Sequence, residues 1–139
     1  MRRLGISEIL QRASATPEEA LRVAWLQQND SPTLRTVLRG ALDPTVKWLL
    51  PEGNPPYKPC DLVGQQHRLF TETRKLYLFV EGGSPNLKQI RREALFIELL
   101  ESLDPDDAKL MLAVKDKHLP YPGVTTDIIN KAFPGLIPA

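Results

Sequence analysis

The chain has 139 residues, 42% of them hydrophobic and 25% charged, the make-up of one soluble globular domain. A chain of this length buries roughly two-thirds of the surface its unfolded form exposes, so it needs no disulfide or metal staple. The net charge of +1, from 18 Lys and Arg against 17 Asp and Glu, argues against a histone-like polycation. Any nucleic-acid contact would have to gather its cations on one face.

Arg2 and Arg3 resemble the start of a signal peptide, but Ser7, Glu8, Gln11 and Arg12 leave no apolar core behind them. No apolar run approaches the ~18 to 20 residues that span a membrane. The single cysteine, Cys60, has no internal partner and agrees with a reducing compartment. A soluble protein that stays where it is made is expected.

Five of the 13 prolines follow a residue suited to helix N-capping: Thr16-Pro17, Ser31-Pro32, Asp43-Pro44, Ser84-Pro85 and Asp104-Pro105. Proline at the first helical position loses nothing, because its missing N–H would have been unpaired anyway. After Thr16, Glu19 stands at the capping-box position, followed by Ala20, Val23, Ala24 and Gln27. After Ser31, Leu34, Val37, Leu38, Ala41 and Leu42 form one apolar stripe with Arg35 and Arg39 on the other side. Asp43-Pro44 opens a short segment with Trp48, Leu49 and Leu50, a brief helix or turn packed on the core. Residues 51 to 68 carry four prolines in their first ten positions, which favours an extended path, either an ordered strap or a mobile loop.

Residues 69 to 80 read as a helix ended by Gly82-Gly83. The stretch from Asn86 to Leu103 is apolar on most sides in its second half and reads as the central buried helix. Asp104 caps the next helix, which ends near Lys117, and a last short helix runs from about Thr125 to Phe133. Tyr77 and Val80 lie in a β-tolerant stretch, but no hairpin turn offers it a partner. The expectation is a single all-α domain over 1–139, with about six or seven helices and a proline-rich loop at 51–68.

Catalytic signals are scarce. The histidines His67 and His118 and the lone cysteine have no zinc-site spacing, and neither a phosphate loop nor a dinucleotide fingerprint occurs. Glu81-Gly82-Gly83-Ser84 reads as a helix stop followed by an N-cap. Asp104, Asp106 and Asp107 read as helix-start acids that offset the dipole rather than as metal ligands. No enzyme activity, cofactor or metal is expected.

Two basic constellations remain. Lys88, Arg91 and Arg92 oppose the dipole at the start of a long helix, a mild cost that suggests an outside anion. Lys115, Lys117 and His118 close the next helix. Pro120-Tyr121-Pro122-Gly123 is a stiff turn, and Thr125-Thr126 opens a helix with Asn130 and Lys131 one turn on. A basic helix end, a glycine turn and a helix start together suggest a grip on a phosphate backbone.

Residues 104–139, and above all Asn130-Lys131-Ala132-Phe133-Pro134-Gly135-Leu136-Ile137-Pro138 with Lys115-Asp116 and Gly123 ahead of them, resemble the end of the N-terminal domain of phage-type (T-even-like) ATP-dependent DNA ligases. The order Ile6–Leu10, Asn29-Asp30, Leu34–Leu38 is similar to that domain's first helices. The whole chain also resembles short uncharacterised proteins of T-even-like phages of marine cyanobacteria. The resemblance implies an all-helical, non-catalytic phage accessory protein that binds double-stranded DNA without reading sequence, in the cytoplasm of the infected bacterial host. Lys115, Lys117, Thr125, Thr126, Asn130 and Lys131 would touch phosphate, with Lys88, Arg91 and Arg92 as a second patch.

Three features depart from the ligases. The Lys-x-Asp-Gly core is absent, the turn between Asp116 and Asn130 is longer, and residues 51–68 have no counterpart. The rival class is a protein-interaction module docking on a host or phage protein, or a virion structural component. One coherent basic face favours DNA; scattered charge with an exposed apolar patch favours a protein partner.

Overall fold

The computed structural model describes residues 4–138, so Arg2 and Arg3 lie outside the described residues. Seven α-helices follow one another: α1 (Ile6–Ala15), α2 (Glu19–Gln28), α3 (Pro32–Leu42), α4 (Arg68–Glu72), α5 (Gln89–Ser102), α6 (Pro105–Lys115) and α7 (Thr126–Ala132). Two 3-10 segments, Gln65–His67 and Thr73–Phe79, flank α4. No strand occurs among the described residues, and the all-α class expected from the sequence is what the chain adopts.

Two of the five proline caps act as expected. The Ser31 hydroxyl accepts from the Leu34 amide at 3.0 Å, and the Asp104 carboxylate accepts from the Asp106 amide at 3.1 Å. The other three serve different ends. Thr16 closes α1 by donating its hydroxyl to the Arg12 carbonyl, and α2 starts at Glu19 behind Glu18. Asp43 folds back on the amide and hydroxyl of Thr45, which closes a turn and starts no helix. Ser84-Pro85 makes one turn, from the Leu87 amide to the Ser84 carbonyl, and α5 begins only at Gln89.

After the Asp43 turn the chain runs extended and finds a distant partner. Trp48 and Val80 form an isolated antiparallel bridge, with Leu49 donating to Phe79 and Glu81 to Lys47, each at 2.8 Å. The β-tolerant stretch therefore has a partner that no local turn announces. Trp48 lies over α3 and donates its indole N–H to the Gly40 carbonyl at 2.9 Å. A Cβ at residue 40 would sit 2.8 Å from the Trp48 ring, so glycine permits the contact.

The central helix is α6, in place of the expected helix near Asn86. Helix α6 packs against α1, α3 and α5, and buries Asp107, Ala108, Leu110, Met111, Leu112, Val114 and Lys115. Buried on most sides, it is the hub of the core. Helix α5 is amphipathic instead: Phe96, Leu99 and Leu100 are buried, while Ile90 is 86% exposed. Phe96 meets Phe79 edge to face at 5.3 Å, which ties α5 to the 3-10 segment. Helix α7 packs on α2 to close the other side of the core.

Residues 51–58 form the strap. The Gly53 amide donates to Asp116 at 3.2 Å, the Lys58 amide donates to Glu101 at 2.8 Å, and Tyr57 packs on the core. Farther along, Leu62 and Val63 stand exposed.

The caps give a clean comparison. Ser31→Ala should cost about 1 kcal/mol in urea unfolding. Ser84→Ala should stay within about 0.5 kcal/mol, because its side chain caps nothing. Equal losses at the two sites would contradict this assignment of the helix starts.

Candidate nucleic-acid interface

The two lysines at the C-terminus of α6 turn inward. Lys115 is 5% exposed, and its ammonium donates to the Pro51 carbonyl (3.0 Å), the Gly53 carbonyl (2.6 Å) and the Asp116 carboxylate (2.7 Å). All three ammonium hydrogens are engaged, and they hold the strap. Lys115, expected to touch phosphate, lies turned to the strap: a buried ammonium has to be fully paired, and here two loop carbonyls and Asp116 pair it.

Lys117 does the same for a second loop. Its ammonium donates to Gly40 (2.8 Å), Asp43 (2.7 Å) and Val46 (3.1 Å) carbonyls, at the end of α3 and the turn after it. Burial lowers its pKa from the ordinary 10.5, while the nearby Asp43 carboxylate opposes the shift. The backbone here is a Schellman motif. His118 donates back to Ala113 and Lys117 to Val114, each at 2.9 Å. Lys117 takes the left-handed position with φ 61°, where glycine is the usual residue. A non-glycine residue there costs about 1–2 kcal/mol, which the three ammonium bonds offset.

Around the glycine turn the pattern repeats. Arg22 of α2 donates to the carbonyls of Ala13 (2.9 Å), Thr16 (2.6 Å) and Gly123 (3.2 Å). The Ser14 hydroxyl donates to Pro122 at 2.6 Å. The turn is thereby fastened to the end of α1. Gly123 is required twice over, by its φ of +86° and because a Cβ would lie 2.6 Å from the Arg22 guanidinium.

Thr125 is the N-cap of α7, accepting from the Ile128 amide at 3.3 Å, and Thr126 beside it is exposed. Asn130 exchanges two hydrogen bonds with Ile137: its amide donates to the carbonyl at 3.0 Å, and its oxygen accepts from the N–H at 2.9 Å. The segment from Asn130 to Pro138 is thus a clasp that folds the chain end onto α7. Lys131 pairs with Glu19 at 2.7 Å and Asp127 at 3.3 Å, and these two carboxylates raise its pKa.

The second patch divides. Arg92 is 5% exposed and donates to Leu78 (2.9 Å), Ser84 (3.1 Å) and Gln89 (2.6 Å). Lys88 and Arg91 are exposed and make no side-chain hydrogen bond or ion pair. Of the nine nominated residues, Lys115 and Arg92 are buried, Asn130 is partly buried, and Lys117, Lys131 and Thr125 are exposed but bonded within the fold; Lys88, Arg91 and Thr126 face solvent without a side-chain partner.

Asp107 has a role that the helix-start pattern concealed. It is fully buried, and one carboxylate oxygen accepts from the Ser7 amide at 3.0 Å. Helix α1 starts after Gly5, which has no side chain to cap it, so a carboxylate from α6 does so. The second oxygen has no hydrogen-bond partner. Burial pushes the Asp107 carboxyl up to about 6, against the Ser7 bonds that lower it; Asp104 and Glu8 add to the rise. Burial also pushes the nearby Tyr121 hydroxyl up to about 12. The sequence signal, in retrospect, is a helix that begins at glycine without a capping side chain.

A further set of cations surfaces elsewhere. Arg39 of α3 and Arg74 of the 3-10 segment flank a groove lined by Val46, Trp48, Leu76, Tyr77 and Val80. Neither guanidinium makes an internal hydrogen bond or ion pair. Among the described residues no group of three or more His, Cys, Asp and Glu is placed to hold a metal ion. No helix of the described chain is long and apolar enough to cross a membrane.

Fold and surface together define an all-helical module whose interior cations clamp loops. Residues 9–121 match the Family of unknown function (DUF6433), and the chain belongs to that family. The match stops before the Asn130–Pro138 clasp that carries the ligase resemblance. No curated protein matches the chain.

Two substitutions test these assignments. Lys117→Gly would relieve the left-handed backbone, yet it should destabilise the chain by about 1–3 kcal/mol through the loss of three bonds to loop carbonyls. A gain in stability would mean the ammonium holds nothing. For Asp107, the folded chain keeps a proton between 3.8 and about 6 that the unfolded chain releases. Stability from this group is therefore greatest below about pH 4 and falls by about 3 kcal/mol as pH rises to 7. Asp107→Asn should flatten that window in urea titrations run from pH 4 to 7; an unchanged slope would place the titration elsewhere.

Proposed function

We propose that the protein is a non-catalytic protein-interaction module rather than a DNA clamp. The observation that carries this reading is the burial of Lys115 and Arg92 on backbone carbonyls, which makes their charge unavailable to phosphate, with the Lys117 ammonium engaged by three more carbonyls. Affinity for duplex DNA comes mainly from cations that displace counterions along the backbone. Here the net charge is only +1. Tyr77, 54% exposed, borders an apolar groove lined by Val46, Trp48, Leu76 and Val80. A contiguous apolar patch at the surface suits a protein partner.

A duplex-DNA titration at two salt concentrations tests the choice. The module reading expects no saturable binding at physiological salt in the range of about 10⁻⁴ to 10⁻⁶ M that ordinary non-specific DNA binders show. Binding in that range, falling with salt by about 0.9 log units for each neutralised phosphate, would overturn it. In that event Lys88→Gln with Arg91→Gln should make the salt slope shallower by roughly two units, since these cations are free.

A further inference from the structure

We infer that the groove between the end of α3 and the 3-10 segment docks an acidic peptide segment of a partner protein, anchored by an apolar side chain. This rests on the interaction-module reading and gives it a place and a ligand chemistry.

The groove encloses about 300 Å³. Its floor is apolar and aromatic, with Val46, Trp48, Leu76 and Val80 below and Tyr77 standing more than half exposed at its edge. Burying a large apolar side chain in such a space removes it from water and favours association. The cavity has room for one such anchor, and aromatic and arginine side chains are the residues that dominate interface energetics.

Charge sets the rest of the ligand. Arg39 and Arg74 are the charged residues that line the groove, and no carboxylate lines it with them. The acids nearby are occupied or turned away. Asp43 is 7% exposed and bonded to Thr45, with Arg39 acting on it only through its field. Glu72 is 5% exposed and pairs with Arg68 and Lys75. Glu81 follows Val80 on the exposed turn but does not line the groove. Two unpaired guanidiniums beside an apolar cavity match a segment with an aliphatic or aromatic anchor flanked by carboxylates, which guanidinium binds bidentately.

A nucleic acid strand fits less well. It needs successive aromatic platforms and a continuous cationic track. Trp48 has its ring against Gly40 and its N–H on the Gly40 carbonyl, which leaves Tyr77 as the exposed platform in this groove.

The test is fluorescence anisotropy with the full chain and a labelled peptide of alternating Glu and Leu, closed by one Phe. A charge-matched control has Ser in place of Leu and Phe, and oligo-dT is a third probe. The Glu/Leu/Phe peptide should bind, with both controls weaker by about tenfold or more. Arg39→Gln with Arg74→Gln should weaken the peptide by about tenfold, and Tyr77→Ser should weaken it as well. Circular dichroism melts should stay unchanged, because neither arginine side chain holds an internal bond. Peptide binding that is the same in wild type and double variant would overturn this site while leaving the module reading in place. No peptide binding by the folded wild type would also overturn the site. Oligo-dT binding that exceeds the peptide's and is lost in the double variant would overturn both the site and the module reading.

Discussion

Two ammonium groups at one end of α6 hold this structure together. Lys115 and Lys117 donate six hydrogen bonds between them, five to backbone carbonyls outside any regular pairing and one to Asp116. Through them α6 grips the strap at Pro51 and Gly53, and the end of α3 with the turn behind it. Lysine suits this task because its three ammonium donors rotate to meet carbonyls that arrive from different directions. The desolvation cost of the buried Lys115 ammonium is met because every hydrogen finds an oxygen, while Lys117, exposed along its stem, turns its ammonium onto three carbonyls.

The other end of α6 completes the arrangement. Asp107 reaches across to the first turn of α1 and caps amides that Gly5 cannot cap. Helix α6 is therefore central in two senses: its apolar faces form the core, and its polar ends fix α1, α3 and the strap around it. The cost is concentrated in Asp107, whose second oxygen is buried without a partner and whose proton affinity rises accordingly. Arg22 and Arg92 extend the same device: Arg22 joins the end of α1 to the Gly123 turn, and Arg92 ties α5 to the segment that precedes it. A small all-helical domain with long irregular connections has many carbonyls to satisfy. This chain does so with basic side chains in place of a sheet.

That solution has a functional consequence. Cations that clamp the interior, Lys115 and Arg92, are unavailable to an outside anion. The clasp of Asn130 on Ile137 follows the same logic, since its side-chain amide folds the chain end onto α7. The surface that does combine unpaired cations with apolar walls lies elsewhere, between α3 and the residues around Tyr77, built from segments more than thirty positions apart in the chain.

The sequence by itself determined the helical class, the positions of most helices and the caps at Ser31 and Asp104. These depend on i to i+4 spacing and on hydrogen bonds that close within a few residues. Its local rules misread Thr16, Asp43 and Ser84, where capping residues serve turns or helix ends, and they placed the hub on α5 instead of α6. Tertiary structure alone decided the Trp48–Val80 bridge, the strap, the burial of Lys115 and Arg92, and the capping of α1 by Asp107. All of these but the Arg92 contacts join groups remote in sequence, and periodicity carries no information about which distant carbonyl a lysine will meet. A cation at a helix end looks the same in sequence whether it faces water, phosphate or the protein's own backbone; only the packing of α6 against α3 and the strap made it the last.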